Sequence, residues 1–564
     1  MPSRIAVLSP LALCLFFSPA FGQLTTEQKI TDFLYIADSY AVQYGPYHWK
    51  RDAVGFNPGD LRPWLDRIRR TANDIEYAEL LVDYTSSLDD AHVSISFPFN
   101  YSGSLGFTVD IYDGKVLIDS INRTRLPVAR FPFQIGDEIV AMDGVPAAEL
   151  VRRFGKYAIA ANPGSTSRSA AARLTSRNQS NMPSLTSLPE NSSVEMRRAN
   201  GENQFFDIPW LITGQPTTSF GRVFTPGPRT AQAQNNAWIQ DNSLDPHQEH
   251  IREFLNASVD PSHSAILNFG GRSPIFALPQ GFVQRFGRDQ ADFFFSGTFN
   301  ASGLRIGFIR IPSFSPPNAT LALQQFEQEM RFFEENTDGL IVDDMRNPGG
   351  SVAFIEGIAQ RLHPSQFRIL GFEIRATAGW VFSFISRLNT ARATNQPQWV
   401  ISLLEEALAQ VRQANSEPGG RTGPISLNST GGLELVPHPL AYSKPILCLV
   451  DEFSASAGDM LPAILQDNRR ALLFGTRTMG AGGNVVNYNN AGPSEASFRV
   501  TQSLMHRREP VITPEYPAAP YVENIGVRPD ILADYMTREN LMTNGSSFVE
   551  AFTAAIVAHI RASR

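Results

Sequence analysis

At 564 residues, with 42% hydrophobic and 18% charged positions, the chain is globular and too long for one ordinary core, so two to four domains are expected. A net charge of −7 with no Lys/Arg block argues against nucleic acid as a partner. Of two cysteines, Cys14 falls in the leader and Cys448 in the apolar run ILCLV, so no internal disulfide is expected in the mature chain.

Residues 1–22 carry one basic residue, Arg4, an apolar stretch from Ile5 to Phe17 and the small-x-small site Ala20-Phe21-Gly22. This is the pattern of a secretory signal peptide, which predicts an extracellular or periplasmic protein. No later stretch has the length of a transmembrane helix, so no stable membrane anchor is expected.

Residues 23–102 read as a helical region. Ile30, Phe33, Leu34 and Ala37 share a helix face, and Ile75–Leu88 is a second candidate helix. The segment ends in Leu88-Asp89-Asp90-Ala91-His92 before the alternating Val93–Phe97, which puts His92 at a helix-to-strand junction. A lone histidine is ordinarily structural, and the spacing alone does not make this one a catalyst.

Residues 103–212 read as a small β-rich unit with strands over Leu105–Val109 and Lys115–Ile121 and a helix over Ala147–Phe154. Gly136-Asp137-Glu138-Ile139 through Asp143-Gly144 resembles the characteristic hairpin of PDZ domains, which bind peptide C-termini by strand addition. Residues 213–302, with prolines, glycines and few clear periods, read as an irregular insertion, a lid or a removable segment.

From 303 to 564 strands and helices alternate, which predicts an α/β core with a mainly parallel sheet. Leu304–Ile311 is a strand, Leu321–Asn336 a helix, and Gly339–Asp344 a buried strand ending in Asn347-Pro348-Gly349-Gly350. Pro445–Val450 is another buried strand. After it, Ala457, Met460, Leu461, Ile464 and Leu465 form one helix face, and Ser456 stands just before that helix. A serine there is either an N-cap or a nucleophile placed where free backbone N–H groups favour developing negative charge.

A strand, an NPGG loop, a second strand and a serine before a helix, in that order and behind a PDZ-like unit, resemble peptidase family S41, the C-terminal processing or tail-specific proteases. The family's LILDLRGNPGG corresponds to LIVDDMRNPGG here, and its GSASASE to Phe453–Asp459. The resemblance implies a ClpP/crotonase-like core, Ser456 as nucleophile, and an oxyanion hole from the Gly350 and Ala457 amides. One departure matters. Where the family carries its lysine base, in the turn Thr478-Met479-Gly480-Ala481-Gly482, this chain has Ala481, which cannot take a proton. Arg477 cannot replace it, since a guanidinium is not deprotonated.

The chain also resembles the chlamydial protease-like activity factor type, which uses a Ser-His-Glu triad. The matching text is Tyr47-His48-Trp49-Lys50, Ser87–His92, NPGGSV at 347–352, Ser456–Asp459, Gly480–Gly483 and Val522–Val527. It implies His92 as general base and Glu523 as the carboxylate that orients it. Serine needs an adjacent base, histidine titrates near neutrality, and a carboxylate on the far ring nitrogen fixes the tautomer. The expected protein is thus a secreted serine endopeptidase acting on proteins or peptides through an acyl-enzyme, with no metal or cofactor. The resemblance further implies a zymogen cleaved within 213–302, and a homodimer. The alternative is a catalytically inactive S41-fold protein that binds peptides or hydrophobic ligands.

Overall fold

Four short apolar runs, Leu304–Arg310, Gly339–Asp343, Ile446–Val450 and Ala471–Gly475, are parallel neighbours at the centre of a seven-stranded sheet. Parallel strands are covered on both faces, which is why these runs are continuously apolar rather than alternating. The computed structural model describes residues 23–158, 160–220, 269–427 and 432–564. The expected leader, residues 1–22, and most of the expected insertion, residues 221–268, lie outside the described residues.

Successive side chains of each central strand serve opposite layers. Leu340, Val342, Ile446, Cys448 and Val450 pack against helices Ala319–Asn336, Val352–Leu362 and Ala457–Asp467 through Phe326, Ile355, Leu461 and Ile464. Ile341, Leu447 and Leu449 face the other way, onto Phe548, Phe552 and Ile556 of the C-terminal helix Ser546–Ala562. Cys448 is a buried free thiol in the first of these layers.

Two parts of this core were not legible in the sequence. Phe295–Ala301, inside the stretch read as irregular, is a strand paired antiparallel with Leu304–Arg310 across the turn Ser302-Gly303, where both φ angles are positive, 50° and 79°. Between Gly371–Ile374 and Ile446–Val450 the chain inserts a helical hairpin, Ala378–Ala393 and Gln398–Asn415, with its own core of Trp380, Phe384, Leu388, Val400, Leu404 and Leu408.

The N-terminal helices Thr26–Gln43 and Asp74–Ser86 pack through Phe33, Ile36, Tyr40, Tyr77, Leu81 and Tyr84. This layer is not separate from the C-terminal half. Phe498 and Val500 complete its core, Tyr40 Oη donates to the Arg499 carbonyl at 2.8 Å, and Ile95–Ser96 pairs with Ser497 and Phe498. Among the described residues no helix is long and apolar enough to cross a membrane.

The β-rich unit is a sheet of Phe107–Tyr112, Lys115–Ile121, Glu138–Met142, Asn191–Arg197 and Asn203–Pro209, with helices Ala147–Phe154 and Pro163–Ala172. The second helix sends Arg168 inward. Its guanidinium donates to both oxygens of Asp110 on the edge strand, at 2.9 and 2.6 Å, and to Glu452 of the α/β core at 2.9 Å. It also lies over the Phe453 ring, 4.4 Å from the centroid. Because Arg168 and Asp110 are buried, removing one partner strands a charge. Arg168→Ala is expected to destabilise the fold by about 3–5 kcal/mol, read as a fall in the thermal midpoint by circular dichroism; an unchanged midpoint would show the pair to be dispensable.

Candidate active site

Two adjacent parallel strands end side by side, and the loops that leave their C-terminal ends build the site, the usual place for chemistry in an open α/β sheet. The loop after Gly339–Asp343 is stitched to the loop after Ile446–Val450. Ser454 Oγ donates to the Asp344 carbonyl at 2.8 Å, the Arg346 amide to Asp451 Oδ1 at 2.8 Å, and the Ala455 amide to the Asn347 carbonyl at 2.8 Å. Asn347 is the pin. Its Nδ2 donates to Asp344 Oδ1 at 2.7 Å and to the Ile311 carbonyl at 3.1 Å, while its Oδ1 accepts from the Gly349 amide at 2.9 Å.

The glycines of NPGG are needed for this approach. At Gly349, φ +96°, a Cβ would lie 2.7 Å from both the Ser456 Cβ and the Ala457 nitrogen. At Gly350, φ +147°, a Cβ would lie 2.2 Å from the Phe314 carbonyl carbon. No side chain fits either position.

Ser456 precedes helix Ala457–Asp467 in a capping-box arrangement with Asp459, but its hydroxyl is too poorly aligned to make the capping hydrogen bond. Its backbone is held at φ 59°, ψ −114°, a conformation a serine rarely adopts and one associated with functional turns. Its Oγ is buried and makes no hydrogen bond among the described residues. The helix start is closed instead by Asp459, whose Oδ2 accepts from the Ser456 amide at 2.8 Å. Asp459 also takes the Ala481 amide at 3.0 Å, the Gly480 amide at 2.8 Å and Thr478 Oγ1 at 2.5 Å. Burial pushes its carboxyl up to about 6, against these donors, which favour the ionised form. Asp459 therefore fixes the serine turn and the 478–482 turn together. In the hydrogen bonds that hold these turns, neither the Gly350 amide nor the Ala457 amide is a donor.

Ala481, at the place of the family's lysine, is buried with Ala91, Phe453 and Ala455 in one apolar cluster. That cluster seats the segment carrying His92 against the serine turn. His92 is itself buried, and its amide donates to Asp90 Oδ1 at 2.8 Å; Asp90 Oδ2 accepts from Tyr44 Oη at 2.8 Å and Thr501 Oγ1 at 2.9 Å.

Glu523 closes the other side. Its Oε2 accepts from the Gly482 amide at 3.0 Å, next to Ala481, and its Oε1 from Lys50 Nζ at 2.5 Å. Burial first, then the Asp90 carboxylate, pushes the Glu523 carboxyl up to about 8; Lys50 is the strongest pull the other way. The structure thus packs Gly349 directly against Ser456 and Ala457, with Gly350 next in the chain, and links Glu523 to the 478–482 turn through Gly482.

Three anchors escaped the sequence reading: Lys50, Asp90 and Asp459. Each lies in a stretch whose text had been singled out, YHWK, LDDAH and ASAGD, but a buried ion pair or a carboxylate collecting four donors leaves no periodicity to find.

A model of peptidase family S41 matches residues 305–532, and one of a PDZ domain matches residues 101–216. An uncharacterized protein of Chlamydia muridarum (strain MoPn / Nigg) is 24% identical over 597 residues, covering 97% of this chain and 96% of its own. The chain is similar to the crystal structure of mature CPAF, with a TM-score of 0.75 and 20% identity over 95% of this chain and 98% of that one. It is similar also to the structure of mature CPAF complexed with lactacystin, with a TM-score of 0.74 and 20% identity over 95% and 99%. The likeness to the solved structures shows the fold, and the family match covers the two strand ends, the NPGG loop and the serine turn. On these grounds the chain carries a serine-type peptidase domain of family S41 over residues 305–532 and a PDZ domain over residues 101–216.

Proposed function

We propose that the protein is a secreted endopeptidase in which Ser456 is the nucleophile, His92 the general base, Glu523 the carboxylate that orients the imidazole, and the Gly350 and Ala457 amides the oxyanion hole. The observation that carries this is Ser456 itself. It is a buried serine in a positive-φ turn at the head of a helix, its hydroxyl without a hydrogen bond among the described residues, with the NPGG loop packed against it at Gly349. Such a hydroxyl has no stabilising duty to perform, and the Gly350 and Ala457 amides, which donate to none of the bonds that hold these turns, are left for the oxyanion of a tetrahedral intermediate.

In the forward step Ser456 Oγ bonds to the scissile carbonyl carbon as its proton passes to His92. The carbonyl oxygen takes the negative charge and is met by the two amides. His92 then returns the proton to the leaving amine, giving the acyl-enzyme, and repeats both transfers with water. No metal or organic cofactor enters this scheme. Removal of residues 1–22 on export, cleavage within 213–302 on activation, and assembly as a homodimer belong to the same reading and rest on the resemblance to the chlamydial type.

The test is hydrolysis of unfolded casein by the chain from Gln23, compared with its His92→Ala variant. His92→Ala is expected to lower the rate by about 10²–10⁴-fold, the worth of a general base, with an unchanged circular dichroism spectrum. A folded variant as active as the parent would remove His92 from the mechanism. Lactacystin, the compound in the CPAF complex, gives a second readout: the adduct found by mass spectrometry is expected on Ser456.

A further inference from the structure

Lys50 is wholly buried, and an ammonium has no place in a protein interior unless something requires it. It lies 39 residues from the Asp89 loop and 473 from Glu523 in sequence, yet it touches both. Its Nζ donates to Glu523 Oε1 at 2.5 Å, to Asn524 Oδ1 at 2.6 Å and to the Asp89 carbonyl at 2.7 Å. Asn524 in turn donates to that same Asp89 carbonyl through Nδ2 at 2.8 Å, and accepts from Trp49 Nε1 at 3.0 Å. The backbone around this knot is unusual. Lys50–Val54 is a single π-helical turn, a feature concentrated at functional sites, and Asp89 and Asn524 both stand at positive φ, 46° and 60°.

We propose that Lys50 is a positioning residue for hydrolysis: its ammonium fixes the Glu523 carboxylate and clamps it to the loop that ends in His92. The inference rests on the Ser456–His92–Glu523 reading and adds to it a residue from a fourth segment of the chain. Three N–H groups meet three acceptors, so the amine has no lone pair to offer and is not a substitute for the base missing at Ala481. Its role is electrostatic and geometric. Glu523 can stabilise an imidazolium only as a carboxylate, and it sits in a crowd of groups that oppose its ionisation. Burial and the Asp90 carboxylate of the histidine loop are those influences, while the Tyr44 and Tyr516 phenols beside it are themselves pushed up and stay neutral. Lys50 is the strongest opposing influence, so without it the carboxyl would keep its proton to still higher pH.

The experiment is the rate of labelling by a fluorophosphonate probe, from pH 5 to 10, for the parent chain, Lys50→Met, Lys50→Arg, Glu523→Gln and the Lys50→Met/Glu523→Gln double variant. Loss of the Lys50 charge raises the pH at which Glu523 ionises, so the rise of rate with pH should move upward by about one unit or more in Lys50→Met. The rate at pH 7 should then fall about tenfold, while the alkaline plateau stays within about threefold of the parent. Lys50→Arg should restore the profile. In the Glu523→Gln background, Lys50→Met should change the rate by less than about twofold, because the residue acts only through Glu523.

A uniform loss at every pH, an unmoved profile, or an equal effect with and without Glu523 would each overturn the role. If Lys50→Met does not fold, the double variant, which buries no lone charge, decides the question against Glu523→Gln alone. A folded parent chain that takes no label would instead sink the serine-peptidase mechanism, an outcome separate from failure of Lys50.

Discussion

Ser456→Ala is expected to reduce casein hydrolysis by roughly 10⁴–10⁶-fold, the range seen when a serine nucleophile is deleted, and to abolish fluorophosphonate labelling. The thermal midpoint should not fall. The Ser456 hydroxyl makes no hydrogen bond among the described residues, so its loss leaves no buried partner there unsatisfied. The bond that does hold the turn, from the Ser456 amide to Asp459, belongs to the backbone and survives the change. This pairing of a large kinetic loss with an unchanged midpoint separates a nucleophile from a helix cap, whose removal costs about 0.5–2 kcal/mol. A variant that is destabilised but still hydrolyses casein would return Ser456 to the capping role.

The second large effect is at Gly349. Gly349→Ala places a methyl 2.6 Å from the Ala455 carbonyl oxygen and 2.7 Å from both the Ser456 Cβ and the Ala457 nitrogen. All three belong to the Ser456 turn, and φ at Gly349 is +96°, so the substitution is strained even before the clash. The expected cost is about 2–5 kcal/mol from strain and overpacking together. Any folded fraction should turn over at least about 10²-fold more slowly, because the Ala457 amide is displaced from the oxyanion. Gly303→Ala is the control. That glycine also has positive φ, +79°, but nothing lies within 4 Å of the added carbon, so only backbone strain of about 1–2 kcal/mol is expected, with activity intact. Equal kinetic losses in the two variants would show that the NPGG loop does not shape the nucleophile.

How far the sequence reached can be seen element by element. Helix Ala147–Phe154 and strand Lys115–Ile121 stand where periodicity placed them, and the buried strands are within a residue or two, because each is bounded by a turn or cap that local chemistry specifies. The strand Phe295–Ala301 was missed because its identity as a strand comes from its partner Leu304–Arg310 across a tight turn rather than from its own alternation. The hairpin of Ala378–Ala393 and Gln398–Asn415 buries its apolar face on itself, so nothing about the sheet demanded it.

The chemistry divides the same way. Local sequence by itself determined the fold class, the NPGG loop, and a serine at the head of a helix, since glycine tolerance, strand periodicity and helix amphipathicity act over a few residues. It left Ser456 balanced between cap and nucleophile; the backbone at φ 59° and the uncommitted hydroxyl are tertiary facts, imposed by Asp459 and by the close approach of Gly349. Tertiary structure alone decided that Ala481 packs in an apolar cluster with Ala91, that Glu523 reaches the same turn through Gly482, and that Lys50 binds three segments at one point. Those contacts join residues from 39 to 473 positions apart, and a buried charge carries no local signature, because its cost is offset only by partners the chain supplies on folding.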